Sequence, residues 1–407
     1  MCYRALCFLS FVLAFGVPSP FSLAAQGSDR PLGNQAADPP DLLPVYIENF
    51  LRAADKAEVL RVAARDKGAA DFIGQFYDFV LEYSIDNADT LRDDPDFIRL
   101  TVLAVQGMGN TEYLMGVNTL WTVFGSFRNT DIRVETVKSL VSLGKKSPLH
   151  AAWITQNLNS FVETRHELHS SNTPVDYRVL AACIEALAET GDGLSFQILF
   201  GVLMTEYPDP IGPITEEALE ALPDDNGYLL EVIRRKGDGE KLAAFRIGIN
   251  NRVLSAYNKG EIAEAALEAY LESENAEIAS MGYEAVNVIG KIKWERAAPL
   301  AIRHYHQVKD GYTKNSVPKA RYLEAIACLG ALKNDKTGAV LGIQLGYLNL
   351  EMEQNRKYDE EITLETVKAL GRLGDWNTYD TLLYTGSLPY PQTIKHEALE
   401  ALKGIKW

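Results

Sequence analysis

Cysteine and histidine are scarce in this sequence. Its 407 residues include 4 cysteines and 6 histidines. Cys2 and Cys7 lie at the extreme N-terminus, so only Cys183 and Cys328 are available to the rest of the chain. Two cysteines are too few for an extracellular domain that is built on disulfides. We find no group of histidines and acids with the spacing that a metal centre or a catalytic motif requires.

Positive charge and long apolar segments are also in short supply. The chain has 55 acidic and 40 basic residues, which gives a net charge of -15. An acidic surface repels nucleic acid and anionic lipid over a Debye length of roughly 8 Å, so no nucleic-acid partner is expected. The charge suits a basic partner, or it simply keeps an apolar protein soluble. No apolar run beyond residue 17 is long enough for a membrane span.

Residues 1–24 have the features of a secretory signal peptide. Arg4 supplies the positive start, residues 5–17 form a 13-residue apolar stretch, and residues 22–24 (Ser-Leu-Ala) fit a small-x-small cleavage site. Pro18 and Pro20 argue against the alternative of a buried N-terminal helix. The sequence therefore predicts export, to a bacterial periplasm in the first instance and otherwise into the medium. Removal of Arg4 with this segment changes the net charge from -15 to -16.

Two further segments precede residue 97. Residues 25–44 are rich in Gly, Pro, Asp, Asn and Gln, a composition typical of a disordered linker. Residues 45–96 are predicted to form an N-terminal helical cap of two amphipathic helices. The apolar residues that define these helices are Tyr46, Phe50, Leu51 and Leu60, followed by Phe72, Phe76, Phe79, Val80 and Tyr83.

A short block recurs along residues 97–407: a charged residue, Ala or Ser, an aliphatic residue, a spacer, a second aliphatic residue and Gly. Its copies lie at 138–144, 185–191, 284–290, 324–330 and 368–374, with looser copies at 103–109, 220–222 and 400–404. The small residues are at 104, 139, 186, 221, 285, 325, 369 and 401, so most gaps are 32 to 47 residues and one is 64. Most of these gaps are close to the roughly 40–47 residues of a two-helix HEAT or armadillo unit.

The block has the pattern of the end of a helix. In one copy Leu323, Ile326 and Leu329 are three residues apart and form an apolar stripe, beside which Ala325 lets a neighbouring helix approach. Gly is expected just past the helix end, in a left-handed conformation. Asp192, which follows one of the glycines, is expected to cap the next helix, as is Asp375 after another. The sequence thus predicts an all-α superhelix of stacked helical hairpins.

These residues resemble HEAT repeats, in particular the short kind found in phycobilisome-lyase-like proteins. The resemblance covers residues 97–407 and implies an armadillo-like α-solenoid. It does not imply a particular function, because this repeat serves many unrelated roles.

Residues 222–284 interrupt the regular spacing. The segment 254–266 resembles the turn of a tetratricopeptide unit, with Tyr257, Asn258 and Gly260 joining two helices; a diverged hairpin within the same stack is the preferred interpretation. Residues 207–213 contain three prolines and are predicted to form a non-helical loop, either a connector or a contact point.

The remaining cysteines and histidines were assigned as follows. Cys183 and Cys328 lie on first helices of different repeats, too far apart for a disulfide, and are predicted to be buried free thiols. His166-Glu167-Leu168-His169 has its histidines three apart rather than four and is interpreted as a polar loop. His304 and His306 point to opposite sides of a helix and are interpreted as surface residues.

Three functions remain open. The preferred one is an exported, non-catalytic scaffold whose groove, lined by second helices, binds a protein or peptide in the cell envelope. The second is a divergent metal enzyme that resembles the HEAT-type deoxyhypusine hydroxylases, for which His166-Glu167 and His396-Glu397 supply two of four required pairs. The third is a structural spacer with no specific ligand. No catalytic, cofactor-binding or metal residue is assigned.

Aromatic residues near the C-terminus are a candidate contact surface or a cap on the open end of the core. They are Trp376, Tyr379, Tyr384, Tyr390 and Trp407.

Overall fold

The computed structural model describes residues 42–66, 69–70, 72–171, 174–224, 227–273 and 275–405. The predicted signal peptide, residues 25–41 of the predicted linker and Trp407 lie outside these residues. The chain from Leu43 onward forms one compact unit. Within the described residues, all regular structure is helical.

The described residues of this unit form twenty α-helices. The first ten are α1 (Leu43–Arg52), α2 (Lys56–Arg65), α3 (Ile73–Leu91), α4 (Pro95–Gly109), α5 (Gly116–Ser126), α6 (Thr130–Gly144), α7 (Pro148–Ser170), α8 (Tyr177–Thr190), α9 (Gly193–Leu203) and α10 (Ile211–Ala221). The others are α11 (Tyr228–Arg235), α12 (Asp238–Asn250), α13 (Ala256–Glu272), α14 (Ala279–Ile292), α15 (Ala298–Thr313), α16 (Lys319–Ala331), α17 (Asp335–Glu353), α18 (Glu360–Leu373), α19 (Tyr379–Ser387) and α20 (Gln392–Gly404). Short 3₁₀ turns at Ala276–Ile278, Glu295–Ala297 and Trp376–Thr378 precede α14, α15 and α19.

The helices form two layers by alternation. Each even-numbered helix contacts the next even-numbered helix, from α2 through to α20. Odd-numbered helices contact one another in the same order, directly or through aromatic side chains such as Trp121 with Trp153 and Phe200 with Tyr228. Sequence neighbours such as α15 and α16 pack across the two layers. The protein is therefore an all-α superhelix of stacked hairpins, as the sequence predicts.

Every copy of the recurring block lies at the C-terminal end of an even helix. Each even helix packs on the odd helix that precedes it in the chain, so it is the second helix of its hairpin and not the first, contrary to the sequence prediction. Gly374 has φ of 62° and ends α18 in the left-handed region, as predicted. That role is wrong for the other block glycines, because they lie within helices or, at Gly191, in extended backbone. Their role is packing.

Close approach of successive even helices explains Gly109, Gly290 and Gly330. A Cβ built on Gly330 of α16 would lie 2.6 Å from the Ala369 Cα of α18, and one on Gly109 of α4 would lie 2.9 Å from the Ser139 Cα of α6. Distances this short leave no room for a methyl group. In these two copies the glycine of one block packs against the small residue of the next.

The predicted caps are present. The Asp192 carboxylate accepts hydrogen bonds from the Leu194 and Ser195 amides at the start of α9, at 3.1 and 3.0 Å. Asp375 accepts from the Asn377 amide at 2.9 Å and begins the 3₁₀ turn before α19. Each satisfies amide groups that have no partner within the helix.

Residues 222–284 continue the alternation. α12 contacts both α10 and α14, and α11 contacts α13. The 64-residue gap accommodates two units because α11 has only 8 residues. The tetratricopeptide turn is not formed: Tyr257, Asn258 and Gly260 lie in α13, and Gly260 packs against the Trp294 ring, which leaves no space for a Cβ.

Three other local predictions are corrected. Helix α1 begins at Leu43, two residues before the expected start of order, and residues 45–94 contain three helices instead of two, because α2 follows α1 after a short turn. Pro213 lies in the first turn of α10, where its missing amide has no intrahelical partner to lose, so only residues 207–210 are non-helical. The 166–169 segment belongs to α7 and is not a loop.

Cys183 in α8 and Cys328 in α16 are buried and free, as predicted. Both lie in even helices, where small side chains are required. Burial raises the pKa of each thiol to about 12.

Candidate functional site

Exposed apolar side chains are concentrated in one of the two layers. Among the described residues, ten of the large exposed hydrophobic side chains lie on odd helices and two on even helices. The ten are Val45, Leu51, Leu149, Leu194, Tyr257, Ile343, Tyr347, Leu350, Leu383 and Tyr384. The two on even helices are Val62 and Leu399. We call the exposed side of the odd-numbered helices the odd-helix face.

The densest group of these residues lies on α17 and α19. Ile343, Tyr347 and Leu350 follow one another at helical spacing, and Ile343 and Tyr347 are 63% and 61% exposed. Leu383 and Tyr384 extend the group onto the neighbouring helix. We call these five residues the C-terminal apolar patch. Groups of exposed apolar side chains are candidate interaction sites.

Buried hydrogen bonds fix the two helices of the patch relative to each other. The Asn349 amide donates to the Thr385 hydroxyl at 3.0 Å and to the Thr381 carbonyl at 3.3 Å. On the surface, the Tyr384 hydroxyl is bonded to Glu353 at the end of α17. Desolvation raises the pKa of Tyr384, and the bond to Glu353 raises it further. The patch is therefore a preorganised surface and not a loose loop.

Lys309 of α15 adds one positive charge to the edge of the patch. Its Nζ donates to the Gln344 side chain at 2.7 Å and lies 5.7 Å from the centre of the Tyr347 ring. Tyr305 donates to the same Gln344 oxygen at 3.1 Å. Burial lowers the pKa of Lys309. Among the described residues, no carboxylate lies within ion-pair distance of this ammonium group.

The predicted C-terminal aromatics divide between the two roles considered for them. Tyr384 belongs to the patch, and Trp376 is 45% exposed and stacks on Tyr379 with ring centres 5.0 Å apart. Tyr390 is buried against Tyr358 and serves the core. Sequence reasoning missed Ile343, Tyr347 and Leu350. The apolar, uncharged stretch 337–350 was the signal for them, but a buried helix gives the same signal.

A second aromatic group lies on α5 and α7. Trp121 stacks on Phe124 with ring centres 5.0 Å apart, and it meets Trp153 edge to face at 5.9 Å. Phe124 contacts Phe161 at 5.0 Å. The Arg133 guanidinium lies 4.4 Å from the Phe124 ring centre, and burial lowers the pKa of this arginine. Trp121, Trp153 and Phe161 are half-buried, so each still offers part of its ring to a partner.

His166 and His169 of α7 contact the loop at residues 206–207. His169 donates from Nε2 to the Glu206 carbonyl at 2.8 Å, and its Nδ1 accepts from the Tyr177 hydroxyl at 3.2 Å. Its ring stacks on Tyr207 at 4.0 Å, and Tyr207 also bonds His166 Nδ1 at 3.1 Å. Burial is the main cause that lowers the pKa of His166 and raises that of Tyr207 to about 12. Both ring nitrogens of His169 are therefore bonded within the chain, Nε2 to residue 206 and Nδ1 to Tyr177.

His304 is in the core and not on the surface, contrary to the sequence interpretation. It is 1% exposed and lies between the Tyr270 and Tyr283 rings, each with its centre 5.7 Å away. Its Nδ1 has no partner among the described residues. Burial lowers the pKa of His304 to about 4, so the ring is neutral at pH 7. His306 is exposed, as interpreted.

The two His-Glu pairs are not brought together. His166-Glu167 lies in α7 and His396-Glu397 in α20, helices of different layers that are not in contact. In the described part of the chain, no group of three or more His, Cys, Asp or Glu side chains is arranged to hold a metal ion. No helix there combines the length and apolarity needed to cross a bilayer.

Comparison with known proteins adds no family. No protein-family model matches the sequence, and no curated protein matches it significantly. An engineered protein of known structure is 16% identical, with 90% of this chain and 99% of that chain covered and a TM-score of 0.38. A chain from a structure on the phosphorylation switch that controls the interaction between cadherin and beta-catenin is 13% identical, with 91% and 99% covered and a TM-score of 0.30. The class follows from the helix packing itself: the protein is an all-α repeat solenoid.

Proposed function

We propose that this protein is an exported, non-catalytic scaffold that binds a protein partner in the cell envelope through its odd-helix face. The observation that carries the proposal is the segregation of exposed apolar side chains onto odd helices, with the C-terminal apolar patch as the densest group. Each odd helix packs on the even helix that follows it and is therefore the first helix of its hairpin, so the proposed face differs from the second-helix groove that the sequence predicts. Within this proposal the repeats are of the HEAT type.

The composition of the patch suits a protein interface. Tyrosine is enriched among residues that dominate binding energy, and an apolar centre with polar groups at its rim is the usual arrangement. Here Tyr347 and Tyr384 are flanked by aliphatic side chains, and Lys309 and Glu353 lie at the edge. Burial of Tyr347, Ile343 and Leu350 against a partner contributes about 25 cal/mol for each Å² of apolar surface removed from water.

We propose a non-catalytic role because His169, His304 and both thiols are bonded within the chain or buried. His169 has both ring nitrogens bonded within the chain. His304 is enclosed by tyrosine rings, and both thiols are buried and held protonated by a raised pKa. Export rests on the signal-peptide features of residues 1–24.

A photo-crosslinking pull-down from envelope extract tests the interface. Chains with the double change Ile343→Asp and Tyr347→Asp place two charges on the patch, and Leu399→Asp is the matched control on an even helix, where Leu399 is 52% exposed. We expect the unchanged chain and the control to capture the same partner, and the double variant to lose it. Circular dichroism melting of all three chains checks that folding is unaffected.

Other outcomes separate the alternatives. Equal capture by all three chains would place the interface elsewhere and overturn the role of the patch. Absence of any enriched partner would favour a structural spacer. Stoichiometric iron or zinc in the purified protein would support the metal-enzyme alternative, and an uncleaved chain in the cytoplasmic fraction would contradict export.

A further inference from the structure

We propose that the odd-helix face of α5, α7 and α9 binds an extended polypeptide segment that lacks charged side chains. This inference rests on the proposed function, since it assigns the partner chemistry of a second part of the same face. We call this part the uncharged face. It consists of the exposed side of Gly116–Ser126, residues 148–162 and Gly193–Leu203.

The uncharged face contains no Asp, Glu, Lys or Arg, in a chain in which 23% of residues are charged. The even helices that pack behind it are charged: α6 alone carries Asp131, Arg133, Glu135 and Lys138. The face also has limits, because α3 before it carries Asp78, Glu82, Asp86 and Asp89 and α11 after it carries Glu231, Arg234 and Arg235. A protein of net charge -15 thus keeps α5, α9 and residues 148–162 of α7 free of Asp, Glu, Lys and Arg, while the end of α7 carries Glu163, Arg165 and Glu167. The guanidinium groups of Arg133 and Arg165 lie against the Phe161 ring at one end of this face. Elsewhere on the face a charged ligand would lose hydration without gaining a counter-charge.

Unused hydrogen-bonding groups occur on each of the three helices. Asn118 of α5, Gln156 of α7 and Gln197 of α9 are exposed, and their side-chain amides have no partner among the described residues. The indole N–H groups of Trp121 and Trp153 likewise have no protein acceptor in the described part of the chain. An amide side chain offers both donors and an acceptor, which is what the N–H and C=O groups of an extended main chain require.

The seam between α7 and α9 supplies an independent sign of a missing ligand group. Asn159 is 3% exposed, and neither its Oδ1 nor its Nδ2 has a partner among the described residues. His166, seven residues later and therefore on the same side of α7, faces α9, because its Nε2 lies 3.8 Å from a Cβ built on Gly201. That is the only atom within 4 Å of this Cβ, so the seam has room beside Gly201. A buried amide without hydrogen bonds is rare in a folded protein and indicates a group that comes from outside.

The spacing favours a polypeptide over a compact molecule. Packed helices lie roughly 8–10 Å apart, and an extended chain rises roughly 3.3 Å per residue. An extended peptide that crosses the face therefore advances by about two or three residues between one helix and the next. Trp121 and Trp153 provide flat apolar surface between the amides, against which uncharged side chains can pack. A neutral oligosaccharide also has hydroxyl groups to offer, and the experiment distinguishes the two.

Binding of the full chain to arrayed twelve-residue peptides tests the proposal. The array holds uncharged peptides, peptides with four lysines, peptides with four glutamates, and neutral chitin and glucan oligosaccharides. The double change Gln156→Glu and Gln197→Glu adds two charges without changing side-chain size. Gln392→Glu is the matched control, because Gln392 is an exposed amide on the even helix α20.

We expect uncharged peptides to bind best, the double variant to lose at least about tenfold in affinity, and the control to be unchanged. Trp121→Ala is expected to weaken binding to a similar extent, and matched thermal melts verify folding. Preference for charged peptides, preference for oligosaccharides, or equal binding by the double variant would each overturn the proposal. If the unchanged chain binds no peptide of the array but still captures its partner through the C-terminal apolar patch, this inference alone is rejected. If the unchanged chain does neither, the proposed function is rejected as well.

Discussion

Gly330 of α16 and Ala369 of α18 are in such close contact that a Cβ built on Gly330 would lie 2.5 Å from the Ala369 Cβ. Gly290 packs in the same way on Cys328, and Gly371 on Ala401. The even layer is therefore held together by a series of small-to-small contacts between consecutive repeats. This tight layer leaves the odd layer to carry the large exposed side chains.

Gly330→Ala is predicted to destabilise the protein. Glycine to alanine in a helix interior ordinarily gains about 0.5–1 kcal/mol. At Gly330 the added methyl overlaps Ala369, and overpacking costs about 1–3 kcal/mol. Gly346→Ala in α17 is the matched control, because nothing lies within 4 Å of its Cβ position. Urea denaturation should show a lower midpoint for the first variant and a raised one for the second; equal shifts would contradict the packing role.

The free energy of unfolding is predicted to decrease as the pH is lowered, because the buried His304 ring is neutral in the folded protein. Its pKa is about 4 in the folded protein and about 6.5 when unfolded, so the unfolded chain binds the proton more tightly. The stability that the neutral His304 ring provides is fully present above pH 6.5. As the pH falls to 4, the free energy of unfolding decreases by about 3 kcal/mol. Urea denaturation between pH 4 and 8 measures this loss.

Two variants identify the source of that pH dependence. His304→Leu should remove about 3 kcal/mol of the difference between pH 7 and pH 4, since the titrating group is gone. His306→Gln, on the exposed side of the same helix, should leave the dependence unchanged. An unaltered pH profile in His304→Leu would show that other groups are responsible.

Cys183 and Cys328 are predicted to be unreactive in the folded protein. A thiol reacts as the thiolate, and burial raises both pKa values to about 12. Iodoacetamide at pH 8 should leave both residues unmodified in buffer and modify both in 8 M urea, as peptide mapping would show. Rapid modification of either residue without denaturant would mean that its even helix opens.

Asp192→Ala is predicted to lower the free energy of unfolding by about 1 kcal/mol, because the Leu194 and Ser195 amides at the start of α9 lose their acceptor. Asp192→Asn retains an acceptor and should cost little. Thermal unfolding of both variants tests this, and an equal loss in the two would assign the effect to charge rather than to capping.

The sequence alone predicted the architecture because the block repeats. Ala325, Ile326 and Leu329 define a helix face that must be buried, and several copies at similar spacing require several stacked hairpins. Helix caps such as Asp192 could also be predicted from the sequence, since a cap bonds amides only two or three residues away. The buried, unpaired state of Cys183 and Cys328 followed from their places in separate repeats.

Tertiary structure decided what depends on neighbours far away in the chain. His304 lies on α15 and Tyr347 on α17, both odd helices, and the stacking of the neighbouring helices determines that one is enclosed and the other exposed. The role of Gly330 changed from chain turning to close packing because its partner, Ala369, belongs to the next repeat. A local pattern defines which side of a helix is apolar, whereas the arrangement of the layers determines which apolar side chains remain free to bind.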